Sequence, residues 1–237
     1  MTKMETIGSG RNLTYALLES VGKAIVVGAY DASPFPTEAD LAKQYAVSRS
    51  VTREAVKMLT AKGLLVARPR KGTSVQPARA WNLFDPDVLR WMLERKFSLD
   101  LLRQFNELRI AIEPMAAVLA AETADAGGLA AIEAGYQRMV AAEAGDDDPL
   151  EADIAFHIAV LEASANPFYA QFRDVVATAL RTSIRFTNRL KGHTASLPQH
   201  RAVLTAIEAR DSEAARAAMQ GLIEDVMALI AAAEGKG

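Results

Sequence analysis

The segment AVSRSVTREAVKMLTAKGLLVARPRKGTSV, residues Ala46–Val75, decides the fold of the first third of the chain. It predicts a helix from Arg49 to about Lys62, with Ser48 as its N-cap and Gly63 at its end. The residues that recur at helical spacing and would face a core are Val51, Ala55, Met58, Leu59 and Leu64. After the helix, Leu64–Val66 and Ser74–Val75 are predicted as short strands, joined by the basic turn Pro69–Gly72.

Two further helices precede this segment. Apolar residues at helical spacing predict the first over 12–28, and Thr37 with Asp40 predicts a capped second helix from Glu38 to about Tyr45. Three helices followed by a small hairpin are typical of a winged helix-turn-helix, so we predict this DNA-binding fold over residues 1–76. Residues 77–84 have no clear period and are predicted to be a linker.

The outward face of the helix that begins at Arg49 carries the groups expected to meet DNA. Arg49, Ser50 and Arg53 lie opposite the apolar positions, near the N-terminal end that a recognition helix inserts into the major groove. The guanidinium fork of arginine can bind both acceptors of guanine, and the hydroxyls of Ser48, Ser50 and Thr52 can donate to phosphate oxygens. The wing turn adds basic side chains and a glycine that allows close approach, namely Arg68, Arg70, Lys71 and Gly72.

The charge distribution agrees with one module that meets a polyanion. Residues 1–76 hold 11 basic and 6 acidic side chains, and the remaining residues hold 16 and 23, so only the first part is net positive. The chain has no cysteine, which excludes disulfides and thiolate metal sites. Because it shows neither an apolar run of membrane length nor an apolar leader at its start, we expect a cytoplasmic protein.

The rest of the chain is predicted to be helical. A short helix begins at Asp85, and an apolar repeat of about five turns spans Leu101–Leu119. Later helices are predicted over 127–144, 149–165, 167–190, 197–209 and 212–233. Residues 85–237 are therefore predicted to form an antiparallel all-helical bundle of six to seven helices, and the whole protein to be mainly α-helical.

Three polar residues of this second domain could bind a metal. Asp153 and His157 are four residues apart on one helix face, and a carboxylate and an imidazole at that spacing can chelate one divalent ion. His200 lies on a later helix that could fold back beside them. The same spacing is also typical of a hydrogen-bonded pair or a cap, so both interpretations stay open. We expect His193, in a loop-like stretch, to be exposed.

The first segment resembles the DNA-binding domain of the GntR family of bacterial repressors. The shared motifs P-x-E-x-x-L-A, V-S-R-x-x-x-R-E-A, L-x-x-x-G-L and R-x-G-T-x-V lie in register over Pro36–Val75. The resemblance implies a homodimeric repressor of double-stranded operator DNA, with contacts at Ser48, Arg49, Ser50, Arg53, Lys71 and Gly72. Thr52 departs from the pattern, because a valine or leucine is usual there.

The second domain resembles the effector domain of the FadR subgroup of that family, the FCD type. The matching pieces are Glu107–Ala117, Asp153–His157, Ala165–Pro167 and His200–Ile207. Many members hold a Zn, Ni or similar ion on an aspartate and three histidines, which implies Asp153, His157 and His200 as ligands here. Leu222 takes the place of the remaining histidine, so the resemblance implies either an open site of lower affinity or effector binding without a metal.

The segment Trp81–Glu94, WNLFDPDVLRWMLE, resembles the stretch that joins the two domains in a sugar-acid-responsive member of the family. This implies a small carboxylic acid as effector, in particular a sugar acid such as galactonate or another aldonate. A carboxylate needs a cation, and Arg109 is a candidate, although Glu113 could instead be its ion-pair partner. Further candidates are Arg181 and Arg185.

An enzyme that uses the same polar residues is the alternative class of function. The sequence offers no general base beyond the would-be ligands, no Ser-His-Asp set and no glycine-rich phosphate loop. A DNA-binding protein without an effector is disfavoured by the polar residues inside the second domain. We therefore expect a regulator that is not an enzyme, in which effector binding alters the affinity for operator DNA.

Overall fold

The computed structural model describes residues 10–68, 72–95, 99–181 and 196–235. The chain divides into two compact units, Met1–Lys96 and Phe97–Gly237, each with its own apolar core. The described residues are mainly helical with one small two-stranded sheet, which confirms the predicted fold class. No helix among them is both long and apolar enough to cross a membrane.

The first unit is a winged helix-turn-helix. Its elements in chain order are α1 (Gly10–Val26), α2 (Glu38–Gln44), α3 (Arg49–Ala61), β1 (Leu65–Arg68), β2 (Gly72–Val75) and α4 (Pro86–Arg95). The two strands are antiparallel, with Leu65 opposite Val75 and Arg68 opposite Gly72. They form the predicted hairpin directly after α3.

Hydroxyl caps set the starts of α2 and α3, as predicted. The Thr37 hydroxyl accepts from the backbone N–H of Asp40 while the Asp40 carboxylate accepts from that of Thr37, which is a capping box. The Ser48 hydroxyl accepts from the backbone N–H of Val51 at 3.3 Å. Between the two helices Ala46 adopts a left-handed backbone with a φ of 54°, which makes their connection tight.

Helix α4 packs on α1 inside the first unit. Val88, Leu89 and Trp91 are at most 4% exposed, and the indole ring lies against Gly22, where an added Cβ would come within 2.3 Å of it. We predicted that the second domain begins at residue 85, after a linker over 77–84. The contacts group residues 86–95 with the winged helix-turn-helix, because the apolar face of α4 is buried by α1.

Charged side chains strengthen the attachment of α4. Arg90 donates to both carboxylate oxygens of Glu19 on α1 at 2.7 Å, and the indole N–H of Trp91 donates to the same carboxylate at 2.8 Å. At the C-terminal end of α3, the ammonium of Lys62 donates to both oxygens of Asp85 at 2.9 and 2.8 Å. Ion pairs therefore tie α4 to α1 and tie the residue before α4 to the end of α3.

The second unit is a helical bundle, as predicted. Its described helices are α5 (Leu99–Thr123), α6 (Ala126–Ala144), α7 (Pro149–Ala163), α8 (Pro167–Ala170), α9, whose described part is 173–181, α10 (Leu197–Glu208) and α11 (Ser212–Glu234). Helix α5 lies against α7, α10 and α11, and α6 lies against α7 and α10. Many of the buried side chains are alanines, so the helices approach closely.

Helices α6 and α7 are especially close at Gly135. An added Cβ there would lie 2.8 Å from the backbone Cα of Phe156, a separation that real contacts do not reach. Phe156 is fully buried and directly precedes His157 on α7. Gly135 thus allows α6 to fix the position of the helix that carries Asp153 and His157.

One predicted helix is divided in the structure. We predicted a single helix over Pro167–Leu190, but α8 ends at Ala170 and residues 171–172 form a turn before α9 begins. The Arg173 guanidinium donates to the carbonyl of Ala170 at 3.1 Å and so stabilises this turn. Asn166 caps α8 by accepting from the N–H of Phe168 at 3.0 Å. The C-terminal part of the predicted helix, 182–190, lies outside the described residues.

Candidate functional site

The outer face of α3 presents the arginines that we predicted to contact DNA. Arg49, Ser50 and Arg53 are exposed, whereas the opposite face of the helix is buried in the core of the first unit. Arg53 is 64% exposed and lies 3.5 Å from the Glu38 carboxylate of α2. An exposed pair of this kind contributes little to stability, so a phosphate or a base can replace the carboxylate.

The hydroxyls at the start of α3 have different environments. Ser48 and Ser50 are exposed, and their hydroxyl oxygens lie 2.9 Å apart. Thr52 is fully buried, and its hydroxyl donates to the backbone carbonyl of Ser48 at 3.2 Å. The prediction that Thr52 donates to phosphate is therefore wrong, because its side chain points into the core.

The wing is only partly described. Arg68 ends β1 and is exposed, and Gly72 begins β2 with a φ of 78°. Glycine suits this left-handed backbone, and among the described residues no heavy atom beyond its chain neighbours lies within 4 Å of the place where a Cβ would be. Arg70 and Lys71, the other predicted wing contacts, lie outside the described residues.

Asp153, His157 and His200, which we name the Asp–His–His cluster, come together inside the second unit. Nε2 of His200 lies 3.0 Å from Oδ1 of Asp153, and Nε2 of His157 lies 4.0 Å from the same oxygen. One ligand atom of each residue lies within 4.8 Å of the other two, and all three residues are buried. A carboxylate and two imidazoles are a donor set that suits Zn, Ni and related divalent ions.

Each imidazole of the cluster has a hydrogen-bond acceptor beside its Nδ1 atom. Nδ1 of His157 lies 2.6 Å from the carboxylate Oε2 of Glu113, and Nδ1 of His200 lies 2.8 Å from the carbonyl of Ser196. Both partners can only accept, so each Nδ1 donates, and in the neutral ring Nε2 keeps its lone pair. Nε2 of His200 is buried and lies 3.0 Å from Oδ1 of Asp153 without the geometry of a hydrogen bond. A lone pair that faces a carboxylate is the arrangement that a bound cation would satisfy.

Neighbouring charges keep the two buried carboxyl groups ionised. Burial acts to raise the pKa of Glu113, but Arg109 and His157 outweigh it and lower that pKa to about 2. Burial likewise acts to raise the pKa of Asp153, and His200, His157 and Arg109 reverse the shift and lower it. The cluster therefore keeps a carboxylate, and the neutral form of each imidazole adds a lone pair that can bind a metal.

The two predicted effector-binding arginines that the structure describes already have partners. Arg109 is 2% exposed and donates to Glu113 from Nε at 2.6 Å and from Nη2 at 3.2 Å. Glu113 is therefore the ion-pair partner of Arg109, which was one of the two interpretations that the sequence left open. Arg181 is 43% exposed and forms two hydrogen bonds with Glu151 of α7. Arg185 and His193 lie outside the described residues.

Two contacts of the site were not predicted from the sequence. Glu113 was considered only as a partner of Arg109, and its bond to His157 joins residues on different helices. Ser196 directly precedes α10, and its contact to His200 is made by the backbone carbonyl. A pattern of side chains cannot predict a backbone contact of this kind. Leu222, where the sequence implies a missing histidine, is buried in the apolar core of the second unit.

An exposed arginine-bearing helix with a wing, followed by a helical domain that encloses a polar cluster, defines a two-domain DNA-binding regulator. Two family descriptions match the chain, "Bacterial regulatory proteins, gntR family" over residues 22–75 and "FCD domain" over residues 104–225. The chain therefore belongs to the GntR family of transcription regulators and carries an FCD effector domain, which confirms the resemblance of both segments.

Several known proteins are similar over most of the chain. The galactonate operon transcriptional repressor of Escherichia coli K12 is 36% identical over 217 residues, which cover 90% of this chain and 94% of that protein. The uncharacterized HTH-type transcriptional regulator YieP of the same organism is 34% identical over 222 residues, 92% of this chain and 96% of that protein. A protein of that organism provisionally named for the L-lactate dehydrogenase operon is 32% identical over 202 residues, 78% of this chain and 72% of its own length.

A solved structure supports the fold. The structure of Lar, which controls the expression of the Listeria monocytogenes agr system, has a TM-score of 0.59 and 18% identity, and the match covers 97% of this chain and 98% of that one. At this level of identity the likeness concerns the fold alone.

Proposed function

We propose that this protein is a homodimeric repressor that releases its operator when a small carboxylic acid, a sugar acid such as galactonate or another aldonate, binds to the FCD domain. Arg49 and Arg53 would read bases from the exposed face of α3, and Ser48, Ser50, Arg70, Lys71 and Gly72 would contact the DNA backbone. One reading helix per chain favours a dimer, because two copies can occupy the two half-sites of a palindrome. We expect it to act in the cytoplasm.

The single observation that supports effector sensing is the buried Asp–His–His cluster. A polar cluster inside an apolar bundle destabilises the fold unless its groups are satisfied, and the Nε2 atom of His200 makes no hydrogen bond. Asp153, His157 and His200 would hold a divalent ion of the Zn or Ni class, which would supply positive charge for the oxygens of an acid. Three protein ligands leave coordination positions open, in agreement with the leucine at position 222.

The charges around the cluster favour an acidic effector. With both imidazoles neutral, Arg109 is balanced by Glu113, and Asp153 leaves one negative charge. A divalent ion would turn this into one positive charge, and a monocarboxylate would then make the buried site neutral. Arg109 would contribute positive charge for the acid from beside His157, since its Nη2 lies 3.4 Å from Nε2 of that ring. Arg181 and Arg185 are additional candidates for binding the acid.

The sugar-acid class is supported by the chain's relatives. The galactonate operon repressor is similar over nearly the whole chain. The weaker relative named for an L-lactate dehydrogenase operon suggests that short hydroxy acids belong in any test. Both classes carry a carboxylate beside a hydroxyl, a pair of oxygens that can bind one metal ion together.

The test is a titration of DNA binding. A duplex selected from random sequences serves as operator, and its mobility shift is measured with galactonate, gluconate, L-lactate or acetate, with and without Zn²⁺. We expect an aldonate to weaken binding by about 5- to 150-fold, the usual range of allosteric coupling. Asp153→Asn should bind the duplex normally but no longer respond. If no acid changes the shift under either condition, the effector proposal is wrong.

A further inference from the structure

We propose that Glu113 is a positioning residue for the metal site: its carboxylate holds the Nδ1 proton of His157 and thereby directs the Nε2 lone pair of that ring to the metal position. The inference rests on the proposed metal site but concerns a residue outside the Asp–His–His cluster. The bond from Nδ1 of His157 to Oε2 of Glu113 is 2.6 Å long, and both side chains are 1% exposed.

The two ring nitrogens of a neutral histidine compete for one proton. The hydrogen bond made by one nitrogen decides whether the other can bind a metal. Without an acceptor at Nδ1, His157 could carry its proton on Nε2 and turn it toward Oδ1 of Asp153, which is 4.0 Å away. The lone pair would then be lost to the metal, and one of three ligands would be missing.

Glu113 and Ser196 each supply the acceptor at Nδ1 of one cluster histidine, and the two acceptors differ in charge. The Ser196 carbonyl fixes the proton of His200 at 2.8 Å with a neutral acceptor. Glu113 fixes the proton of His157 with a charged one, and a carboxylate in that position also makes the imidazole a stronger ligand. His157 therefore gains more from its partner than His200 does.

Arg109 keeps Glu113 in this outer position. Oε1 of Glu113 accepts from Nε of Arg109 at 2.6 Å, and Oε2 accepts from both Nη2 of Arg109 and Nδ1 of His157. Nη1 of Arg109 donates to Asn106 at 3.2 Å, which orients the guanidinium. Both oxygens of Glu113 are thus engaged, so Glu113 orients a ligand and is not itself a ligand.

The first test reads the proton directly and needs no metal. The chain has three histidines, so ¹⁵N-histidine labelling of the full metal-free protein gives three ring spin systems, and His157→Gln identifies one. We expect His157 of the wild type as the Nδ1–H form. In Arg109→Met/Glu113→Met, which removes both buried charges with little change of volume, we expect the Nε2–H form to become populated.

The second test measures affinity for Zn²⁺ alone, by competition with a chelating dye. The double variant should bind Zn²⁺ about 10- to 100-fold more weakly than the wild type. The matched control is Glu19→Met/Arg90→Met in the first unit, where a carboxylate likewise accepts from an arginine and a ring N–H. The control should leave Zn²⁺ affinity unchanged, and circular dichroism should show that both variants are folded.

The outcomes separate this inference from the proposed metal site. An Nε2–H form of His157 in the wild type, or equal Zn²⁺ affinity of wild type and Arg109→Met/Glu113→Met, overturns the role of Glu113. A wild type that does not bind Zn²⁺ overturns the metal site itself. If the double variant does not fold, the proton position in the wild type still decides.

Discussion

The arginines of this protein differ in burial and in their partners. Arg90 and Arg109 use their planar forks on carboxylates, so they order the fold. Arg49 is exposed on the first turn of α3 and is free to meet a base edge. The residue type is the same, and burial together with a paired carboxylate distinguishes an arginine that holds helices together from one whose guanidinium is exposed.

Replacing Arg49 by alanine should reduce discrimination between DNA sequences. The guanidinium fork of an arginine on guanine contributes about 1–3 kcal/mol of preference over another base. The difference in binding free energy between the operator and a scrambled duplex should therefore shrink by about 1–3 kcal/mol. The control is Lys57→Ala, two turns further along α3 and already paired with Glu54 at 2.8 Å. Competition binding measures the ratio, and an unchanged ratio for Arg49→Ala would show that another residue reads the operator.

The ion pair of Glu19 should make the first unit sensitive to acid. Hydrogen bonds from Arg90, with Trp91 and Lys23 helping, lower the pKa of Glu19 from 4.5 to about 2. A lowered pKa stabilises the fold above the unfolded-state pKa, and this contribution is lost as pH falls toward the folded-state value. The wild type should therefore be more stable than Glu19→Gln near neutral pH, and the difference should shrink between about pH 5 and about pH 2.

The measurement is urea unfolding followed by circular dichroism across that range. Glu54→Gln serves as control, because Glu54 belongs to an exposed pair on α3 and is 57% exposed. A difference between wild type and Glu19→Gln that stays constant with pH would contradict the assignment of the carboxylate to this ion pair.

Local chemistry explains which site residues could be predicted from the sequence. The four-residue spacing of Asp153 and His157 fixes them on one helix face, and the two caps at Thr37 and Ser48 follow from hydroxyl placement. The bond between Glu113 and His157 joins α5 to α7, and no local pattern contains it. Thr52 was misplaced for a different reason, because its helical spacing with Ala55 and Val56 already puts it on the buried face of α3.

At the scale of elements, the spacing between helices decides whether the cluster can form. α6 supports α7 through Gly135, and α7 carries two of the three cluster residues. The helix pattern could be predicted from apolar spacing, whereas the division of Pro167–Leu190 after Ala170 could not. No glycine or proline marks that break, and apolar spacing does not reveal the turn at 171–172.

Gly135→Ala should destabilise the second unit and disturb the cluster. Its Cβ would press on the backbone of Phe156, and overpacking of this kind costs about 1–3 kcal/mol. Gly221→Ala is the matched control, because Gly221 lies inside α11 and its added Cβ would meet no described atom within 4 Å outside the backbone of its own helix and its chain neighbours. That change should stabilise the helix by about 0.5–1 kcal/mol. Equal unfolding free energies of the two variants in urea would contradict the close approach.

At the scale of the whole molecule, α4 belongs by its contacts to the DNA-binding unit. The two family matches cover 22–75 and 104–225 and leave it unassigned. Its sequence was predicted to begin the second domain because it is helical, like all that follows. The burial of Trp91 by α1, which no periodicity encodes, shows where it packs.

A fragment that ends at Arg95 should therefore fold, and one that ends at Phe84 should be much weaker. The shorter fragment loses Val88, Leu89 and Trp91 from the core, and removing a buried tryptophan side chain alone costs about 3–5 kcal/mol. Urea unfolding of both fragments measures the difference. Fragments of equal stability would instead support the boundary at residue 85.

The placement of Trp91 also gives the protein an internal optical probe. The chain has two tryptophans, and both belong to the first unit: Trp91 beneath Arg90 at the joint of α1 and α4, and Trp81 bonded through its N–H to the Gln76 carbonyl behind the wing. The effector domain contains no tryptophan. Tryptophan fluorescence therefore responds to ligand binding in that domain only if the binding changes the first unit. A shift of the tryptophan emission maximum on adding an acid would show, without any attached dye, that effector binding changes the structure of the DNA-binding unit.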